Sequence, residues 1–176
     1  IALNILQFVK DVLVIFLKRV KKESMLKYFL ITSLVLLSDQ FTKVLIIKNI
    51  LDDQFIRVNS YFDLVHFKNQ GAAFGFLSDA GGWQRYFLSI VASIVSIVLI
   101  FMIKKHKDEF YTALGLSLIL GGALGNLYDR LFLGYVTDFL YFHFQDYYWP
   151  AFNISDTAII IGAGIIIYTD PFNKKS

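Results

Sequence analysis

Two stretches of the sequence place an asparagine three residues before an aspartate at the edge of an apolar segment. They are Asn126 and Asp129 in GNLYDR, and Asn153 and Asp156 in FNISD. If each stretch is helical, amide and carboxylate lie one turn apart on one face, so the amide can fix the carboxylate by a hydrogen bond. Two carboxyl groups close together in a partly desolvated site share one proton, because both do not ionise easily. The pattern suggests aspartic-protease chemistry: one carboxylate takes a proton from water, and the neutral partner hydrogen-bonds the developing oxyanion.

The same residues also have ordinary structural explanations. Arg130 beside Asp129 can form a snorkelling salt bridge, while Asn153 can cap a helix whose dipole Asp156 complements. Acidic side chains within a membrane also serve proton relays and transport. From spacing alone, a catalytic pair and a structural role both stay open.

A further pair of charges lies inside an apolar segment. Asp39 and Lys43, in SDQFTK, are four residues apart, so on a helix they share a face and can neutralise each other. Charges in such a segment are costly and are therefore functional candidates, although a structural ion pair is the simpler explanation. Gly121 and Gly125 form a small-xxx-small pair, which predicts close helix packing.

The elements that must position these residues are predicted to lie in a membrane. Of the 176 residues, 56% are hydrophobic and only 18% are charged, unlike an ordinary soluble domain. The basic residues form short clusters beside apolar runs, so the net charge of +3 indicates topology and no nucleic-acid partner. Because this chain has no cysteine, a cysteine nucleophile of its own and thiolate metal ligands are excluded.

Four apolar segments approach the roughly 20 residues that a helix needs to cross a bilayer. They are 28–47, 86–103, 110–127 and 152–169. The predicted fold class is therefore mainly α, a polytopic membrane protein with four transmembrane helices. By the positive-inside rule, Lys104, Lys105 and Lys107 face the cytoplasm, which places both termini inside and all the acidic candidates in the outer half.

The two predicted outer loops differ in character. Residues 55–67 mix aromatic, β-branched and polar side chains, which predicts a small extracytoplasmic antiparallel sheet. Residues 131–150 are crowded with aromatic side chains, which predicts a loop that lies as a rim along the membrane interface. Residues 1–24, which precede Met25, leave three alternatives open: an interfacial helix, a fifth span or a mis-assigned start. No cleavable signal is evident.

Five blocks taken together resemble the bacterial lipoprotein signal peptidases, also called type II signal peptidases. The blocks are DQFTK, NQGAAFG, GGALGNLYDR, VTDF and FNISD, in matching order and spacing. The resemblance covers residues 25–176 as one four-helix peptidase domain and leaves residues 1–24 outside it. It implies an aspartic endopeptidase of the bacterial inner membrane that cuts prolipoproteins just before a diacylglyceryl-modified cysteine, near the periplasmic face.

The resemblance also implies residue roles and partners. It places the catalytic pair at Asp129 and Asp156. The other motif positions, expected to bind substrate or support the site, are Asp39, Lys43, Asn69, Gly71, Ala72, Gly122, Asn126, Arg130, Asp138 and Asn153. The expected partners are the prolipoprotein, membrane lipid and the inhibitor globomycin, with a monomeric enzyme and no metal or cofactor.

Two positions depart from the family pattern, and two other functions compete. Lys68 stands where the family often has Arg, and Ser155 where it usually has Ala. A proton-coupled transporter would use the acidic residues as a relay strung across the bilayer, whereas these all fall in one half. A metal-dependent hydrolase is the second rival, but the three histidines, at 66, 106 and 143, show no recognisable ligand spacing.

Overall fold

The computed structural model describes residues 24–71 and 81–169. Within these ranges the helices are α1 (Ser24–Asn49), α2 (Trp83–Lys105), α3 (Phe110–Phe132) and α4 (Ile154–Thr169). The strands are β1 (Phe55–Asn59), β2 (Phe62–Asn69), β3 (Val136–Phe144) and β4 (Tyr147–Tyr148). The predictions for residues 1–23 lie outside the described residues.

Three of the helices are long and apolar enough to cross a membrane, namely α1, α2 and α3. The fourth, α4, is apolar but has 16 residues, about 24 Å at the usual helical rise. Many of the large apolar side chains on these helices point outward, as Leu34, Leu37 and Phe41 do with about two thirds of their surface exposed. Such exposure is expected where lipid, not water, covers the helix.

The central helix is α3, which packs against each of the other three. Glycines on α3 allow this close approach, as their spacing predicts. A Cβ atom added at Gly121 would lie 2.7 Å from the Val35 side chain of α1, and one at Gly115 would lie 2.8 Å from the Gly162 carbonyl oxygen of α4. Both distances are shorter than real Cβ contacts, so these backbones touch. The polar residues near the C-terminal end of α3 are thereby held against α1 and α4.

The four strands form one antiparallel sheet in the order β1-β2-β3-β4. The hairpin of β1 and β2 confirms the sheet predicted for residues 55–67. The second predicted loop was incompletely described as a rim, because its residues 136–144 form β3 and pair with β2. In that pairing Phe67 lies opposite Asp138 and Asn69 opposite Val136. The sheet therefore brings two distant polar residues, Asn69 and Asp138, to the helix ends.

Candidate active site

A buried cluster of charges joins α1 to α3, with Lys43 at its centre. The Lys43 Nζ lies 2.7 Å from Asp39 Oδ2 and 2.9 Å from Asp129 Oδ2. It also donates a hydrogen bond of 3.1 Å to the Asn126 side-chain oxygen. Both carboxylates are fully buried and Lys43 is 1% exposed. A buried charge needs such pairing, and here one ammonium contacts both carboxyl groups and joins α1 to α3.

Both carboxylates of this cluster also bind the backbone of neighbouring segments. Asp39 Oδ1 accepts a hydrogen bond of 2.9 Å from the Ser155 N–H, in the first turn of α4. Asp129 Oδ2 accepts one of 3.2 Å from the Thr137 N–H in β3, and Asp129 Oδ1 accepts one of 2.9 Å from the Gln40 amide. Sequence reasoning did not select Gln40, although it directly follows Asp39. The cluster thus fixes the starts of α4 and β3.

Next to this cluster lies a second pair of carboxyl groups, Asp138 and Asp156, whose hydrogen-bond donors in the described ranges are neutral amides. Asp138 accepts hydrogen bonds from the Asn153 side-chain amide at 2.7 Å and the Asn69 side-chain amide at 3.0 Å. Asp156 accepts from the Asn126 side-chain amide at 2.8 Å and from the Asn153 backbone N–H at 3.2 Å. Asn153 therefore contacts both carboxyl groups.

The position of Asp156 follows from local helix capping. The Asn153 side-chain oxygen accepts a hydrogen bond of 2.9 Å from the Asp156 N–H, while Asp156 binds the Asn153 N–H in return. This reciprocal arrangement is a capping box, which begins α4 at Ile154 and holds Asp156 in its first turn. The helix dipole there favours a negative charge.

The electrostatic environment of Asp138 differs from that of an ordinary aspartate. Burial, and next to it the negative charge of Asp156, raise the pKa of Asp138 to about 7, although the Asn69 and Asn153 amides oppose the shift. The side chain is only 4% exposed. Asp138 therefore changes protonation state near neutral pH, as an acid in a shared-proton pair must.

Further hydrogen bonds connect the residues around Asp138 and Asp156. The Asn69 side-chain oxygen accepts from the Gly71 N–H at 2.9 Å, and the Gly71 carbonyl accepts from Arg130 Nη2 at 2.9 Å. Arg130 Nη1 donates to the Asn126 carbonyl at 3.3 Å. The guanidinium thus joins α3 to the segment after β2. Arg130 makes these contacts in place of the salt bridge to Asp129 that the sequence suggested.

The structure brings together most of the predicted site residues but pairs them differently. The Asn126 amide, predicted to hold Asp129 one turn away, donates across to Asp156 on another helix. Gly122 packs against the Ser155 backbone so closely that a Cβ atom would clash. Ala72 lies outside the described residues. Among residues 24–71 and 81–169, no group of three or more His, Cys, Asp or Glu side chains is arranged to hold a metal ion.

The two departures from the family pattern also have defined surroundings. Lys68 forms an ion pair with Asp52, and its Nζ lies 5.2 Å from the centre of the Tyr135 ring. Because both side chains are exposed, the pair is a surface feature. The hydrogen bond from Lys68 lowers the pKa of Asp52. The Ser155 hydroxyl is buried and finds no hydrogen-bond partner among the described residues.

Helices long enough to span a bilayer, with buried carboxyl groups where they meet a small sheet, define a membrane protein with a polar site at one end of a helical bundle. Comparison with known proteins identifies which one. The pattern of the family described as signal peptidase (SPase) II matches residues 31–171.

Curated relatives and solved structures agree with that match. A lipoprotein signal peptidase of Teredinibacter turnerae is 47% identical over 151 residues, covering 85% of this chain and 90% of the relative. One of Alteromonas mediterranea is 44% identical over 147 residues, covering 83% and 81%. A bacterial membrane enzyme structure obtained by the in meso method at 2.3 Å resolution has a TM-score of 0.74 and 32% identity, covering 85% of this chain and 92% of that one.

The chain belongs to the signal peptidase II family. The family resemblance noted from the five sequence blocks is confirmed. So are the predictions that the protein is a membrane peptidase and that it removes signal peptides from prolipoproteins. The transporter alternative is not supported.

Proposed function

We propose that this protein is an aspartic endopeptidase whose catalytic carboxyl groups are Asp138 and Asp156. The observation that carries the proposal is the position of Asn153, which donates its side-chain amide to Asp138 and its backbone N–H to Asp156. A shared partner places the two carboxyl groups side by side. Their described hydrogen-bond donors are neutral amides, so a proton can be exchanged between them without breaking an ion pair.

This assignment replaces Asp129 by Asp138 in the pair expected from the sequence. Asp129 is fully buried and bound by Lys43, Gln40 and the Thr137 N–H. With the Lys43 ammonium 2.9 Å away, Asp129 is held in an ion pair, which a proton transfer to or from Asp129 would have to break. In our proposal Asp129 holds the start of β3 and thereby positions Asp138.

The surroundings of the two carboxyl groups divide their roles. Asp156 lies at the N-terminal end of α4, and its partner Asn126 itself accepts a hydrogen bond from Lys43, so its negative charge is favoured. In our proposal, ionised Asp156 takes a proton from water as the water oxygen attacks the scissile carbonyl carbon. Neutral Asp138 donates a hydrogen bond to the developing oxyanion. When the tetrahedral intermediate collapses, the C–N bond breaks and Asp156 returns its proton to the departing amine nitrogen.

The membrane setting supports the finer expectations about substrate and location. We propose that the cut falls just before a diacylglyceryl-modified cysteine, because exposed apolar helices beside the polar site let an acylated substrate enter from the bilayer. Lys104 and Lys105 end α2, and Lys107 lies in the turn to α3. By the positive-inside rule we propose that this end faces the cytoplasm and that the carboxyl groups lie near the periplasmic face.

The remaining expectations are likewise proposals. α4 serves as the fourth span, and the aromatic side chains of residues 131–150 rest at the membrane interface. The enzyme acts as a monomer in the inner membrane, with both termini in the cytoplasm. Globomycin is expected to inhibit it by occupying the site between Asp138 and Asp156.

The test is cleavage of a diacylglyceryl-modified prolipoprotein by purified protein, with Asp138→Asn, Asp156→Asn and Asp129→Asn compared. We expect the first two variants to keep the wild-type melting temperature and to lose activity by about 10³-fold or more, since each removes one half of the acid–base pair. Asp129→Asn should melt earlier yet retain measurable turnover at low temperature. If Asp138→Asn cleaves normally while folded Asp129→Asn does not, our pair is wrong and the sequence-based pair is right.

A further inference from the structure

A cluster of lysines lies at the end of the helical bundle remote from the carboxyl groups. Lys104 and Lys105 end α2, and Lys107 follows in the turn to α3. All three are exposed. From the start of α3 at residue 110 to Asn126, which donates a hydrogen bond to Asp156, the helix rises about 24 Å, so this cluster lies far from the proposed catalytic pair.

The start of α1 is held against this turn and adds a fourth lysine. The Tyr28 hydroxyl donates a hydrogen bond of 3.0 Å to the Lys107 carbonyl. The Lys27 Nζ lies 4.8 Å from the centre of the Tyr28 ring and 5.4 Å from that of the Phe110 ring. Because Tyr28 is fully buried against α2 and α3, the lysines of three helix ends occupy one surface.

Two acidic residues follow these lysines, the exposed Asp108 and then Glu109, and they leave the group of four lysines with a net positive charge. One Glu109 oxygen accepts a hydrogen bond of 3.3 Å from the Thr112 hydroxyl, and the other lies 3.4 Å from His106 Nδ1. Within residues 24–71 and 81–169, no acidic side chain forms an ion pair with Lys104, Lys105 or Lys107. Their charge therefore stays available to an external anion.

Exposed apolar side chains adjoin the lysines on the same helix ends. They are Leu26, Phe29, Phe101, Phe110 and Tyr111, each with more than a third of its surface exposed. Ammonium groups at the ends of membrane helices interact with lipid phosphates, and the apolar surface below them packs against acyl chains. A free anion would use the lysines alone, whereas a phospholipid uses both parts of this surface.

We propose that Lys27, Lys104, Lys105 and Lys107 form a binding site for the phosphate headgroup of an anionic phospholipid. The lysines bind the phosphate, and the apolar side chains below them contact the acyl chains. The site is independent of the catalytic pair, so its occupancy stabilises the end of the bundle where α1, α2 and α3 meet without entering the peptidase reaction.

The experiment measures lipid binding to the purified full chain by native mass spectrometry, with phosphatidylglycerol, phosphatidylcholine and inorganic phosphate as probes. Each lysine near an anionic lipid contributes about fivefold in affinity, so Lys104→Gln combined with Lys107→Gln should weaken phosphatidylglycerol binding by about 25-fold. Lys48→Gln, an exposed lysine at the other end of α1, is the matched control and should bind like wild type. The charge-preserving Lys104→Arg with Lys107→Arg should also keep binding.

Three outcomes would overturn the proposal. The double Gln variant could bind phosphatidylglycerol as wild type does, in which case the lysines act only in membrane insertion. Phosphatidylcholine could bind equally well, which would show that acyl contacts alone decide. Inorganic phosphate at the same concentration could displace phosphatidylglycerol completely, which would identify a simple anion site. Melting of each variant by tryptophan fluorescence confirms that it is folded.

Discussion

The Lys43 cluster and the Asp138–Asp156 pair are neighbouring regions, and each contains two aspartates. They differ in the groups that bind those aspartates. In the Lys43 cluster an ammonium lies within 2.9 Å of both Asp39 and Asp129. The second pair is held by side-chain amides and a backbone N–H. A buried carboxylate paired with a cation links the segments that carry the two charges and can hold a fold together. A carboxyl group that is bound by neutral donors can gain or lose a proton without breaking an ion pair, as acid–base catalysis requires.

The largest effect on folding is expected from removing the cation. Lys43→Met leaves Asp39 and Asp129 buried without a counter-charge, so the free energy of unfolding should fall by about 3–5 kcal/mol. Thermal melting in detergent measures this change. Lys48→Met, which removes an exposed lysine of the same helix, should melt within a few degrees of wild type. Equal melting of the two variants would mean that Lys43 does not hold the cluster together.

A second test concerns the protonation state of Asp138. Burial raises the pKa of Asp138 to about 7. If the protonated form is needed, kcat/KM should fall as the pH rises through about 7. Asn69 stabilises the charged form of Asp138, so Asn69→Ala should raise its pKa further and move the alkaline fall of kcat/KM to higher pH. A pH profile of prolipoprotein cleavage measures both.

The control for this test is Asp52→Asn, which removes an exposed carboxylate whose pKa is lowered by Lys68. The Asp52→Asn variant should show the alkaline fall of kcat/KM at the same pH as wild type. If the alkaline fall of kcat/KM moved to lower pH in Asn69→Ala, the assignment of the proton to Asp138 would be contradicted.

The smallest effect is expected at Ser155, which lies between the two regions. Its buried hydroxyl has no hydrogen-bond partner in the described ranges, whereas its backbone N–H binds Asp39. Ser155→Ala removes the hydroxyl and keeps the N–H, so it should raise the free energy of unfolding by about 1 kcal/mol. Ser93→Ala removes a hydroxyl that donates to the Ser89 carbonyl and should give no such gain. Denaturation of both variants distinguishes these outcomes, and a destabilised Ser155→Ala would reveal an additional role for the hydroxyl.

The sequence predicted the parts of the fold that depend on local pattern. Apolar length predicted the long helices, and the mixed pattern of residues 55–67 predicted the hairpin. The pairing of β3 with β2 was not predicted. The two strands lie some 70 positions apart in the sequence, and a local pattern does not indicate which distant strand will pair. Asn69 and Asp138, for example, are separated by 69 positions.

The same limit explains the choice between the aspartates. The pairing of Asp39 with Lys43 is local and was predicted, and the capping box of Asn153 and Asp156 follows from spacing. Our proposal of Asp138 over Asp129 as the partner of Asp156 depends on which of the two contacts Lys43, a residue of another helix. Spacing along one helix does not contain that information.

The hydrogen bond that the Ser155 N–H donates to Asp39 also bears on how the enzyme assembles during synthesis. It means that a residue of α1, the first described helix, completes the start of α4, the last. Until α4 has entered the membrane and met α1, Asp156 has no fixed place beside Asp138, and a partly inserted chain holds only half of the pair. In the mechanism that we propose, peptidase activity therefore appears only after α4 has packed against α1.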